Sequence, residues 1–275
     1  MWTLSGFADE IAPDLDEQLA VVTDLGLKYI EFRTAWDSSV LDLDDAQLQR
    51  AKRALNTAGV KVSSIGSPIG KIKITDDNGP HLERMARAVK VAQFFEAPYM
   101  RIFSYFVDEN ENPDDYRDEV IARMRDLTAL AEGSGITLIH ENEKEIYGDI
   151  PRRCLEIVQA VDNPTLKLTW DNANFVQCGV HPFTDGYALL SPYVDYLQVK
   201  DARFADSVVV PAGEGDGEFR ETMRAFAADG FEGFASLEPH LQIGHALGGF
   251  SGPNNWRRAH AAFVQVLRDE GIDYE

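Results

Sequence analysis

Eight short apolar runs, each followed by an amphipathic stretch, succeed one another along this chain, and that alternation constrains its fold more than any other feature. The predicted strands are Thr3 to Ala8, Lys28 to Phe32, Lys61 to Ile65, Tyr99 to Tyr105, Ile136 to Glu141, Leu166 to Asp171, Val194 to Val199 and Phe234 to Glu238. The predicted helices between them are Asp16 to Leu25, Asp44 to Ala58, His81 to Phe95, Pro113 to Glu132, Pro151 to Val161, Asp185 to Leu190, Glu218 to Ala228 and Trp256 to Arg268. Gly26 and Gly59 follow two of them, as glycines at helix C-termini do, and Pro113 and Pro151 open two others, where a missing N–H costs little. Strictly alternating strands and helices imply a parallel sheet covered by helices. Eight units in 275 residues predict a closed (β/α)8 TIM barrel, for which about 250 residues is typical. No linker or break in composition divides residues 1–275, so one domain is expected. The first predicted strand runs into Gly6-Phe7-Ala8-Asp9-Glu10, without the Gly-rich turn of a dinucleotide-binding fold. Gly66 to Gly79 and Lys200 to Gly217 are the long inserts after strands, expected at the rim of the barrel mouth.

A barrel of this kind carries its chemistry at the C-terminal ends of the strands. Strand five ends in Glu141, six in Asp171, seven in Gln198-Val199-Lys200-Asp201, and eight in Glu238-Pro239-His240. Any one of these alone is an ordinary solvated strand end. Four successive strands delivering oxygen-bearing side chains to one rim is different, because adjacent carboxylates repel and a divalent cation between them relieves the repulsion. Arg101 on strand four, Lys200 on the face of Gln198, His240 on the face of Glu238, and Glu143 two residues beyond Glu141 are further candidates for contact with a substrate. Arg203, just past Lys200-Asp201, is either a substrate-holding group or one half of a surface ion pair.

The segments LIHENE, LTWDNANF, YLQVKDAR, PAGEGDGEF and ASLEPHL together resemble the xylose isomerase-like family of sugar isomerases and epimerases. The resemblance spreads over nearly the whole chain; the GEGDGEF loop after a VKD strand is its most distinctive part, and each strand end alone is not distinctive. It implies metal ligation by Glu141, Asp171 and Glu238, with Glu141 and Glu238 also the acid/base pair. The strand-seven ligand position, usually a histidine in a pattern like HVKD, is Gln198 here. A histidine often found three residues after the aspartate is Asn174, which is carried over as a substrate-contacting position. With glutamine in place of imidazole the donor set is all oxygen, which favours Mn²⁺ or Mg²⁺ over Co²⁺ or Zn²⁺.

The activity so implied is a divalent-metal-dependent isomerisation or epimerisation. It proceeds by removal of a proton beside a carbonyl of a small keto-sugar or polyol derivative. The same first step can instead expel a group at the β-carbon, giving a lyase or dehydratase on keto-sugars, keto-inositols or keto-glycosides. A phosphodiester hydrolase is disfavoured, since those relatives use histidine-rich zinc clusters and only six histidines are present here. A barrel that binds sugar without catalysis would exchange no substrate protons with solvent. A formal net charge of −20 disfavours nucleic acid or anionic lipid as partners. No signal-peptide pattern or membrane-length apolar run is apparent, and Cys154 and Cys178 lack metal-ligand spacing, so a reduced, cytoplasmic protein is expected. Barrels of this kind often dimerise, and a homodimer is compatible with the sequence.

Overall fold

The computed structural model describes residues 1–245 and 248–275. Eight parallel strands form one sheet: β1 (Thr3–Gly6), β2 (Tyr29–Phe32), β3 (Lys61–Ile65), β4 (Tyr99–Ile102), β5 (Thr137–Glu141), β6 (Leu166–Asp171), β7 (Val194–Val199) and β8 (Phe234–Leu237). Their spatial order is β1-β8-β7-β6-β5-β4-β3-β2. A parallel bridge between Phe7, just past β1, and Glu31 in β2 brings the two outer strands of that order together. The sheet thereby curls into the (β/α)8 barrel that the alternation predicts. Most strand residues are buried on both faces, as expected of a parallel sheet wrapped by helices.

The main helices are α1 (Leu15–Asp24), α2 (Asp45–Ala58), α3 (Asn78–Phe95), α4 (Arg117–Ala131), α5 (Pro151–Val161), α6 (Asn172–Gln177), α7 (Phe219–Ala228) and α8 (Gly252–Asp269). Their ends are chemically specified. Asp44 and Gln47 form a reciprocal capping box at the start of α2, and Gly59 stops that helix in the left-handed conformation. Between β6 and β7 the helix expected over Asp185 to Leu190 is replaced by a wide π-helical turn, Pro182–Tyr187, followed by Ala188–Leu190. The extra helix α6 starts directly on β6, because Asp171 caps it by accepting the Asn174 N–H at 2.8 Å.

The two rim inserts are tied down. Phe103 N and Tyr105 N donate to Ile69 O and Gly70 O at 2.7 and 2.9 Å, so residues 66–79 are laced to the chain leaving β4. Gly70 (φ +91°) lies so close to Phe103 that a Cβ would sit 2.0 Å from its carbonyl oxygen. In the other insert the Asp201 carboxylate accepts N–H groups from Gly213, Gly215 and Gly217, each at 3.0 Å. A Cβ on Gly215 would fall 2.4 Å from Asp201 Oδ1. The VKD and GEGDGEF segments are thus one folding device, an aspartate clamping a glycine loop.

The N-terminal end of the barrel is filled with rings. Tyr29 packs on Phe234 with centroids 5.0 Å apart, Tyr99 on Tyr196 at 5.4 Å, and Tyr196 on Phe234 at 5.7 Å. Just above them Ser63 joins Ser5 at 2.7 Å and the Tyr196 hydroxyl at 2.9 Å. Among the described residues no helix is long and apolar enough to cross a membrane.

Candidate active site

At the opposite end the strands deliver charge rather than rings. Glu141 ends β5, Asp171 ends β6, and Glu238 follows β8; each offers an oxygen to a group whose members lie within 4.8 Å of one another. All three are almost completely buried. Three buried cations come with them. Lys200, just past β7, places Nζ 2.8 Å from Glu238 Oε2 and 3.0 Å from Asp171 Oδ2. Arg101 on β4 donates Nη1 to Glu141 Oε2 at 2.9 Å and to Glu238 Oε1 at 3.2 Å. Arg33, just past β2, donates Nη1 to Glu238 Oε1 at 3.1 Å and Nε to Asp9 Oδ2 at 2.8 Å. Beneath the two guanidiniums lies the Phe7 ring, 4.3 Å from Arg33 Cζ and 4.6 Å from Arg101 Cζ.

Two further buried carboxylates complete the rim. Glu31 in β2 accepts from Ser236 Oγ at 2.8 Å, Gln198 Nε2 at 3.0 Å and Ser64 Oγ at 3.2 Å. Glu10 accepts from His240 N at 2.8 Å and Ser251 Oγ at 2.9 Å. Five fully buried carboxylates (Glu10, Glu31, Glu141, Asp171, Glu238) therefore face three fully buried cations (Arg33, Arg101, Lys200). Burial, more than the neighbouring charges, sets the proton affinities of most of these carboxylates. Burial pushes Glu10 and Glu141 up to about 8 and Asp171 up to about 7, and raises Glu31. Burial acts on Glu238 too, but Lys200, with His240, Arg101 and Arg33, outweighs it and holds Glu238 well below the usual carboxylate range.

This arrangement fits a divalent cation. Among the described residues Gln198 Oε1 is buried and accepts no hydrogen bond, and Asp171 Oδ2 has the Lys200 ammonium beside it at 3.0 Å. Asp9, as buried as the Arg33 it pairs with, adds to the five, so with the carboxylates ionised the cluster carries an excess of negative charge that a divalent cation would reduce. Glu141, Asp171, Gln198 and Glu238 are the residues that would hold it, sharing Glu238 and Asp171 with the Lys200 ammonium.

The structure gathers most, but not all, of the positions singled out in the sequence. Arg101, Lys200 and His240 lie at the cluster, His240 with Nδ1 4.0 Å from Glu238 Oε2. Glu143 borders the mouth, where it accepts from Lys71 Nζ at 3.1 Å. Asn174 is buried against the cluster. Its amide donates to Glu141 Oε1 at 2.9 Å and Asn142 O at 2.8 Å, so it braces a carboxylate from behind. Arg203 is excluded from the site: after β7 the chain turns outward, and Arg203 is half exposed in an ion pair with Asp206 at 2.7 Å. Sequence reasoning missed Glu10, Glu31 and Arg33. The signal was present in β2, where Glu31 interrupts the apolar run Tyr29-Ile30-Glu31-Phe32 and Arg33 follows at once.

A cavity of about 150 Å³ opens above the cluster, bordered by Arg33, Lys71, Arg101, Phe103, Glu238 and His240. A larger cleft of about 400 Å³, lined by residues such as Tyr29, Lys52 and Phe234, lies at the ring-filled end and meets none of the five carboxylates.

The sequence profile described as "Xylose isomerase-like TIM barrel" matches residues 19–266. The chain belongs to the xylose isomerase-like TIM barrel family. Within this family it is similar to the 3-dehydroshikimate dehydratase of Bacillus anthracis, 22% identical over 173 residues. That match spans 62% of this chain and 61% of the dehydratase. A D-tagatose 3-epimerase-like protein superposes with a TM-score of 0.79 at 15% identity, over 98% of each chain. A xylose isomerase-like TIM barrel protein from Mycobacterium smegmatis, solved in complex with magnesium, superposes with a TM-score of 0.71 at 22% identity, over 98% of this chain and 97% of its own. At these identities the superpositions establish the fold alone.

Proposed function

We propose that this barrel removes a proton from a carbon beside a carbonyl in a small polyhydroxylated keto compound, with a divalent cation held by Glu141, Asp171, Gln198 and Glu238. The convergence of the three carboxylates within 4.8 Å, with cations woven between them, carries this reading. When bound, the ion supplies Lewis-acid polarisation of the carbonyl. The all-oxygen donor set favours Mn²⁺ or Mg²⁺.

The two glutamates divide the proton work by their surroundings. Glu238, held ionised, is suited to take the proton from carbon at a carboxylate oxygen. Glu141, raised by burial in the metal-free chain and lowered again by a bound ion, is the candidate to return a proton. Lys200 and Arg101 keep both side chains in place and offer N–H groups to oxygens where negative charge grows. Return of the proton on another face or at the neighbouring carbon gives epimerisation or isomerisation, the leading reading.

One observation favours a second outcome. A base paired with a protonated acid also suits elimination, in which Glu141 gives its proton to a departing hydroxyl and water leaves; a relative in this family is named a dehydratase. The deciding experiment incubates Mn²⁺-loaded protein with a panel of keto-sugars and keto acids in D₂O and follows them by NMR. Deuterium entering an epimer or isomer supports the leading reading, and loss of water with an unsaturated product supports the second. No exchange by metal-loaded protein with any member of the panel counts against both.

A further inference from the structure

Gln198 stands where the family resemblance places an imidazole, and a glutamine has a problem that a histidine ligand does not. Its amide presents either an oxygen or an NH₂ to a cation, and only the oxygen can ligate. Something must fix which way the amide faces. Glu31 sits on the other side of that amide: its Oε2 accepts the Gln198 Nε2–H at 3.0 Å, and the same oxygen accepts Ser236 Oγ–H at 2.8 Å. Its other oxygen accepts Ser64 Oγ–H at 3.2 Å. A carboxylate held by hydroxyl donors is an acceptor and cannot satisfy the amide oxygen. The nitrogen is therefore turned to Glu31, and the oxygen is left on the free arm, buried and, among the described residues, without a hydrogen-bond partner. The register places Gln198 directly beside Asp171.

We propose that Glu31 is the positioning residue of the cation site: it locks the Gln198 amide with its oxygen free for the ion. This inference rests on the proposed cation site. Glu31 does for glutamine what an outer carboxylate does for a metal-bound histidine, fixing the ligand by taking its spare N–H.

The test uses the full chain stripped with chelator, with Mn²⁺ as the probe and free Mn²⁺ read by electron paramagnetic resonance. Glu31→Gln supplies an amide that can donate or accept, so the Gln198 amide is no longer forced one way. Expected is a loss of Mn²⁺ affinity of about 10- to 100-fold, the usual effect of removing an outer partner. Gln198→Ala should lose affinity as well, and the double variant should bind no more weakly than Gln198→Ala alone, because Glu31 acts through Gln198. Ser236→Ala removes a hydrogen bond to Glu31 but leaves the amide lock, and should keep wild-type affinity. Wild-type affinity in Glu31→Gln overturns the proposal. So does a double variant that loses the product of the two single effects, or a Ser236→Ala as weak as Glu31→Gln, which would mean general loosening of the barrel. Absence of Mn²⁺ binding by the wild type overturns the cation site itself, a separate result.

Discussion

The two ends of this barrel solve the same packing problem with opposite materials. At the N-terminal end, Tyr29, Tyr99, Tyr196 and Phe234 close the interior with ring contacts and a few hydroxyls. At the C-terminal end, the interior is closed by Glu31, Glu141, Asp171 and Glu238 interleaved with Arg33, Arg101 and Lys200. Rings gain from burial, whereas every ion at the other end loses hydration and regains it only through partners. The ring-filled end is organised for stability, and the charged end is where the proposed chemistry would sit. The larger cleft lies at the wrong end for reaction, so volume alone is a poor guide to function.

The largest expected effect is on turnover. Glu238→Gln should lower the rate of proton exchange by about 10²- to 10⁴-fold, the usual contribution of a positioned acid or base, while the far-UV circular dichroism stays that of the wild type. A variant that exchanges protons at the wild-type rate would remove Glu238 from the chemistry.

Next are two substitutions that should separate the ends by stability. Tyr196→Ala should cost about 3–5 kcal/mol in urea unfolding, as large core truncations do, and leave Mn²⁺ affinity unchanged. Lys200→Met leaves Asp171 and Glu238 without their shared cation, and should cost a similar amount, about 3–5 kcal/mol, in metal-free protein. Added Mn²⁺ should restore most of the Lys200→Met loss and none of the Tyr196→Ala loss. Equal rescue of both would erase the distinction between the ends.

A smaller effect is expected from pH. Glu10, Glu141 and Asp171 have folded-state values raised above their unfolded ones; below about pH 6.5 this is opposed by His81, His140 and His240, which burial lowers, so the net effect of the carboxylates is expected between about pH 6.5 and 8. Their contribution is present below the unfolded values and is lost as pH rises through the folded ones. Metal-free protein should therefore lose thermal stability across that window, and Glu141→Gln should flatten the slope. A slope unaltered by that substitution would show that Glu141 is not among its sources. The smallest effect belongs to Arg203→Ala, expected within about 0.5 kcal/mol of wild type and with unchanged turnover, since its partner Asp206 is itself exposed.

The sequence made one end more legible than the other. The eight units, the strand ends bearing Glu141, Asp171 and Glu238, and the inward turn of Arg101 and Lys200 follow from periodicity and from the rule that barrel chemistry sits at strand C-termini. Arg203 lies away from the cluster for a local reason. Neighbourhood to a motif in sequence does not fix direction once a strand ends, and Asn174 spends its donors on Glu141 and Asn142 inside an unforeseen helix. Glu31 and Arg33 escaped because one acid within an apolar run looks like an ordinary strand until its partners arrive from β3, β7 and β8. Those partners are far along the chain, and no local pattern announces them.

The pairing of β1 with β8 gives that distance a temporal meaning. It joins Thr3 to Phe234, and the contact that holds Gln198 to Glu31 likewise spans 167 positions of chain. A contact this remote bears the entropy of a long loop and is established late in folding. The cluster is therefore a property of the completed ring: a half-barrel still lacking the pairing of β1 with β8 would own several of the carboxylates but not their arrangement.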